Sequence, residues 1–168
     1  KKLSLSIDYA TTHSCSATGW LPPAQTAGKQ YPYVFTQCQA IHARSLLPCM
    51  DCPAVKMTYE SQVTVPKWAT CVMSAIGTTV TSSNQHEKTF AFEQSVPIPS
   101  YLFALAIGEL SSRDISNRCR VWSEPSMVDA VAYEFHQVED FLKAAEEMTM
   151  PYQWGRYDIL CLPPSFPY

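Results

Sequence analysis

Val55-Lys56-Met57-Thr58-Tyr59-Glu60-Ser61-Gln62-Val63-Thr64-Val65 decides the reading of the fold. Val55, Met57, Tyr59, Val63 and Val65 share one parity, with Ser61 its only polar member. Lys56, Thr58, Glu60, Gln62 and Thr64 fill the other. Successive side chains of an extended chain point to opposite faces, so the pattern predicts a long, half-buried strand. Pro66 stops it, having no amide hydrogen to give a ladder.

The flanking segments repeat the signal. Leu3, Leu5, Ile7 and Tyr9 alternate with Ser4, Ser6 and Asp8, which predicts another half-buried strand. Residues 11–32, rich in Thr, Ser, Ala, Gly and Pro, read as a long loop, and 33–40 suit a strand. Leu47-Pro48-Cys49-Met50-Asp51-Cys52-Pro53 reads as a rigid turn, since each proline fixes its own φ and restrains its predecessor. Residues 69–76 form a short strand and 77–88 a polar hairpin loop. Phe90, Phe92, Val96 and Ile98 alternate in a further strand, which Pro97 and Pro99 end. Residues 102–107 read as a strand buried on both faces. No helix is expected before residue 110, so this part is a β-rich layered unit.

The pattern changes near Ser111. Residues 118–122 give one more strand. Val128, Val131, Phe135, Val138, Leu142 and Ala145 then recur at steps of three and four, the spacing of one helix face. Ser126 with Asp129 suits a capping box and Pro125 fits ahead of it, while Pro151 closes the helix. A strand follows over 157–162. Residues 111–168 therefore read as β-α-β, the opening of a different, mixed domain. One helix and two strands cannot enclose a core alone, so the helix stripe is expected to lack cover and the chain to be a piece of something longer.

Composition narrows the function classes. The chain has 168 residues with 15 Asp and Glu against 12 Lys and Arg, a net charge of −3. That balance argues against a nucleic-acid surface or a polybasic membrane surface. The longest apolar run, Tyr101 to Ile107, is far shorter than the roughly 20 residues a membrane-spanning helix needs. The alternating start is not a signal peptide, and without an initiator Met the true N-terminus is expected further upstream. Seven cysteines, an odd number without framework spacing, read as reduced thiols in a cytoplasmic protein.

Three constellations invite a metal reading, and each has a plainer one. Cys49-x-x-Cys52 lacks the second pair of a zinc ribbon, and Pro53 forbids the helix of a thioredoxin-like site, so free thiols are expected. His86-Glu87-Lys88-Thr89-Phe90 has Phe where the H-E-x-x-H motif needs its second His, and reads as a solvated hairpin. His136-x-x-Glu139 reads as a solvated helix flank. There is no Gly-rich phosphate loop and no G-x-S-x-G. The residues by themselves give a β-rich domain and a fragment, with no catalytic set and no metal ligands.

Several longer strings resemble a known family. Phe35-Thr-Gln37-Cys-Gln39-Ala40-Ile-His42-Ala-Arg44 is followed by Leu47-Pro-Cys49-Met-Asp51-Cys-Pro53-Ala-Val-Lys56. Pro97 to Gly108, Val121-Trp-Ser-Glu-Pro125, Pro151 to Asp158 and Leu162-Pro-Pro-Ser-Phe-Pro-Tyr168 continue in order. Together they resemble the gluzincin zinc aminopeptidases, in the branch that contains leukotriene A(4) hydrolase and aminopeptidase B. The resemblance implies a saddle-like layered β-sheet N-terminal domain over 1–110. It implies the β-α-β start of a thermolysin-like α+β catalytic domain over 111–168. It implies a parent that removes N-terminal residues from peptides with zinc as cofactor, and that also opens a fatty-acid epoxide if it belongs to the hydrolase branch. The family's Gly-x-Met-Glu-Asn loop, H-E-x-x-H motif and downstream Glu would follow Tyr168, so this piece should hold no catalytic residue and no zinc. What carries over is a substrate-binding wall: Gln37 and Gln39 as paired amides on one strand face, Ala40 as cleft floor and Tyr168 as an aromatic pocket wall. Asp51 is expected to bond backbone amides in its turn. A non-catalytic binding module is the second reading.

Overall fold

The computed structural model describes residues 3–81 and 84–166. The first part contains β1 (Thr18–Leu21), β2 (Tyr33–Thr36), the one-turn α1 (Ala43–Leu46), β3 (Lys56–Pro66), β4 (Thr70–Met73), β5 (Ile76–Thr81), β6 (Glu87–Pro99) and β7 (Leu105–Gly108). The second contains β8 (Ser111–Asp114), β9 (Cys119–Ser123), α2 (Val128–Glu134), α3 (Val138–Met148) and β10 (Tyr157–Leu160). Three sheets result, in the orders β1-β2-β7-β4, β3-β6-β5 and β10-β9-β8. All pairs are antiparallel except β9 with β10, which run parallel with α2 and α3 between them in sequence.

The first sheet buries Leu21, Tyr33, Phe35, Ala106 and Leu110, and Trp122, Leu160, Leu162 and Phe166 from the second part pack on them. Gly108 is required there, because a Cβ would stand 2.5 Å from the Tyr33 ring. Val65, Ala69, Cys71 and Phe92 join the first two sheets through Leu105 and Ile107. Val121 and Val128, both fully buried, seal the helices onto the third sheet with Val131, Ile115 and Ile159. Each such side chain is worth roughly 1.5–3 kcal/mol when removed from water.

The long strand read at 55–65 is β3, and the β-rich part is followed by a mixed one, in which two strands precede two helices and a third strand. Several local expectations are corrected. Leu3 to Tyr9 form no strand; Leu3 and Leu5 are 83% and 75% exposed, and no ladder among the described residues takes the segment. The loop at 11–32 contains β1, which pairs with β2. The strand read at 33–40 ends at Thr36, and α1 follows in a region expected to hold no helix. β5 lies within the supposed hairpin loop, and its polar composition follows from both of its faces being exposed. Pro97 lies inside β6, and Pro99 is the residue that ends it. They stand beyond the reach of β5, next to the register shift opposite Met57 and Tyr59, where no ladder amide is asked of Pro97. The run at 102–107 is split between a 3₁₀ turn over Ser100–Leu102 and β7. The polar strand β8 was not foreseen.

The single helix expected over 126–148 is two. At Phe135–Val138 the bonds tighten: His136 N donates to Tyr133 O at 3.4 Å and Val138 N to Phe135 O at 3.0 Å. The apolar stripe survives the break, and Val128, Val131, Val138 and Leu142 are buried, so the stripe has its cover in this chain. The capping box does not form. No side chain caps α2, and the Asp129 carboxylate instead meets Arg113 Nε at 2.7 Å.

Candidate functional site

Gln37, Gln39 and Ala40 lie where β2 gives way to α1. The ladder ends at Thr36, but the Gln37 amide still donates to Ala17 O at 2.7 Å, holding the chain beside β1. Cys38 then turns inward, 1% exposed, against Ala17 and Ala43 with Cys15, Leu46, Cys49 and Phe103 around it. Gln37, Gln39 and Ala40 are exposed. The alternation expected of one strand therefore exists outside any strand, and its anchor is the buried thiol between the two amides. The Gln39–Ala40 peptide is cis. His42 N donates to Cys38 O at 2.9 Å and closes the turn. Tyr168 lies outside the described residues.

The turn rests on a polar frame that sequence reasoning only partly found. Ser45 Oγ donates to His42 O at 2.8 Å and accepts the Ala17 amide at 3.1 Å, tying α1 to β1. Ser16 Oγ meets His42 Nδ1 at 2.7 Å. Asp51 does accept a backbone amide, that of Arg44, at 3.1 Å. Its Oδ2 also takes Arg44 Nε at 3.0 Å and its Oδ1 takes the Ser100 hydroxyl at 2.6 Å. The Ser100 hydroxyl and then the Arg44 contacts hold the Asp51 carboxyl below the usual carboxylate range. Burial, with Asp51 nearby, pushes the Cys38 thiol up to about 11, so it sits in this frame as a neutral thiol. Ser45 and Ser100 carried no signal in the sequence, since an isolated serine says nothing of what folds against it.

Among the described residues no three His, Cys, Asp or Glu side chains come close enough to hold a metal ion. Cys49 and Cys52 are both free thiols. Glu139 is bound by Arg118 Nη2 at 3.1 Å and by Ser116 Oγ at 2.7 Å, and His136 Nδ1 faces Tyr133 O at 2.7 Å, so that pair does not converge. The residues here do not fit a zinc site. No helix among the described residues is long and apolar enough to cross a membrane.

Exposed carboxamides over a hydrogen-bonded frame can bind and orient a polar group: the amide oxygen accepts from an ammonium and the NH₂ donates to a carbonyl. The Peptidase M1 N-terminal domain family matches residues 1–102, and the chain belongs to that family. The chain is 48% identical to leukotriene A-4 hydrolase of Xenopus laevis over 170 residues, which is 100% of this chain and 28% of that protein. It is 50% identical to aminopeptidase B of Rattus norvegicus over 150 residues, 89% of this chain and 22% of the relative. The native yeast LTA4 hydrolase structure superposes with a TM-score of 0.85 at 43% identity, over 94% of this chain and 24% of that one. The chain thus spans about a quarter of the length of these relatives.

Proposed function

We propose that the chain is part of a zinc aminopeptidase of the leukotriene A-4 hydrolase and aminopeptidase B branch, which removes N-terminal residues from peptides. Residues 1–110 are its β-rich N-terminal domain and 111–168 the opening of its catalytic domain. Gln37, Gln39, Ala40 and Tyr168 form part of the wall that receives the peptide N-terminus, and a fatty-acid epoxide is the further substrate of the hydrolase branch. Zinc belongs to the part of the enzyme outside this chain, so these residues contribute binding rather than bond breaking. Seven free thiols support a cytoplasmic setting. The observation that carries the reading is the pair of exposed amides, Gln37 and Gln39, around the buried Cys38, in a chain 48% identical to a leukotriene A-4 hydrolase along its whole length.

The test is Gln39→Ala beside Gln37→Ala in the full-length enzyme. A hydrogen bond to a charged group is worth roughly 1.5–3 kcal/mol, so Gln39→Ala should lower kcat/KM on peptides with a free amine by about 10- to 150-fold. Gln37→Ala should cost less. Wild-type kcat/KM in Gln39→Ala would sink the wall, and an unfolded Gln39→Ala would make the glutamine structural.

A further inference from the structure

We propose that Asp51 is a positioning residue for the glutamine wall: it sets where Gln39 presents its amide without touching substrate itself. The inference rests on the substrate-wall reading above. Asp51 is the hub of the frame, with a side chain only 3% exposed although it lies in a surface turn. Its Oδ2 accepts both the backbone amide and Nε of Arg44, and its backbone carbonyl accepts Arg44 Nη2 at 3.0 Å. These bonds fix the start of α1, whose preceding residues are the wall. Its Oδ1 accepts from Ser100, which is 1% exposed at the end of β6. The Phe103 amide donates to Ser100 O at 3.0 Å, and Phe103 packs on the Cys38 cluster beneath the two glutamines.

One carboxylate therefore joins the helix that follows the wall to the strand end that supports it. Gln39 stands between two anchors of its own turn, the Gln37 amide on Ala17 and the His42 amide on Cys38. Those anchors hold the turn to β1 and to itself. The Asp51 bridge ties it to Ser100, the residue that follows β6. Substrate groups misplaced by about 1 Å can cost 100-fold in rate, so a frame that fixes this offset contributes to catalysis from a distance.

The experiment is a mutant cycle in the full-length enzyme, with kcat and KM measured separately on a peptide with a free amine. Asp51→Ala should lower kcat/KM about 10-fold, chiefly through KM, the effect of one well-placed hydrogen bond on substrate. Asp51→Asn should recover most of that loss. Its amide oxygen still accepts from Arg44, and its NH₂ donates to Ser100 in place of the reverse bond. In a Gln39→Ala background Asp51→Ala should cost almost nothing further, because its effect runs through Gln39. Equal losses with and without Gln39 would overturn the inference, as would wild-type kinetics in Asp51→Ala. If Asp51→Ala does not fold, Ser100→Ala removes only the Oδ1 bond. A loss of about 3-fold that vanishes in the Gln39→Ala background supports the inference, and no loss overturns it. A neutral Gln39→Ala removes the wall reading and this inference together. A deleterious Gln39→Ala with a neutral Asp51→Ala removes this inference alone.

Discussion

The β3-β6-β5 sheet and the β10-β9-β8 sheet each have three strands, yet they are held together differently. β3 and β6 pair from Lys56↔Pro99 to Pro66↔Glu87, so the first depends on a long ladder over one thin dry face centred on Phe92 and Val65. The third has strands of four or five residues, sealed by α2 over Val121 and by α3 over Cys119. Its rim is a charge cluster in which Arg118 bridges Glu139 and Glu146 at 3.1 and 2.6 Å. Length substitutes for cover in one sheet, and cover substitutes for length in the other. A long alternating strand announces itself in sequence, whereas short covered strands depend on residues far away.

Four measurements break or sharpen this contrast. Phe92→Ala should do the most damage, about 3–5 kcal/mol, because it empties the centre of the thin face. A smaller loss in thermal or urea unfolding would mean the ladder alone holds that sheet. Val128→Ala should cost about 2 kcal/mol by opening the seal between α2 and β9. Both variants should lower a single transition. The Glu124 carboxylate accepts the Ala27 and Gly28 amides at 2.8 and 3.2 Å, and Trp122 and Leu160 share the first sheet's core. Two separate transitions, or amide exchange quickened only over 119–160, would show that the parts unfold independently.

The third measurement is acid unfolding followed over α3. Pairing with Arg118 lowers Glu139 and Glu146 from the ordinary 4.5 to about 2. Carboxyls lowered by folding stabilise the native state above their unfolded value, and that stabilisation is lost as pH falls from about 4.5 toward about 2. Glu139→Gln should flatten the slope in that window, and an unchanged slope would remove the cluster from the account. The smallest effect is Val80→Ala. Val80 is 60% exposed on β5, and the change should stay within about 0.5 kcal/mol. A larger loss would mean that β5 is covered in solution.

What could be read in advance divides along the same line. β3 and most of β6 were legible because one-sided burial writes its period into the residues. β5 and β8 were not, since exposed or rim strands are free to be Thr, Ser, Arg and Asp. Leu3 to Tyr9 shows the converse: alternation records a capacity to pair, and pairing needs a neighbour. The helix break at Phe135 left no mark because both helices keep their apolar residues toward one sheet. Of the candidate wall, nothing in Gln37 or Gln39 alone separates a binding amide from a solvated one. The family strings singled them out, and the buried Cys38 between them gives the placement its physical basis.

Phe166 meets Phe35 edge-on, with ring centroids 4.6 Å apart at 70°, while the Ser165 hydroxyl reaches back to the Gln25 carbonyl. Phe35 is two residues ahead of Gln37 on the same run of backbone. The contact works as a strut. Force applied to the chain at Phe166 has a short load path, ring against ring and then along β2, to the foot of the glutamine pair, crossing neither α2 nor α3. A ring wedged in that joint cannot shift without either pushing Phe35 or leaving a void behind it. The ring contact therefore couples the span from Pro163 to Phe166 to the strand that leads into the glutamine turn, although most of the sequence separates them.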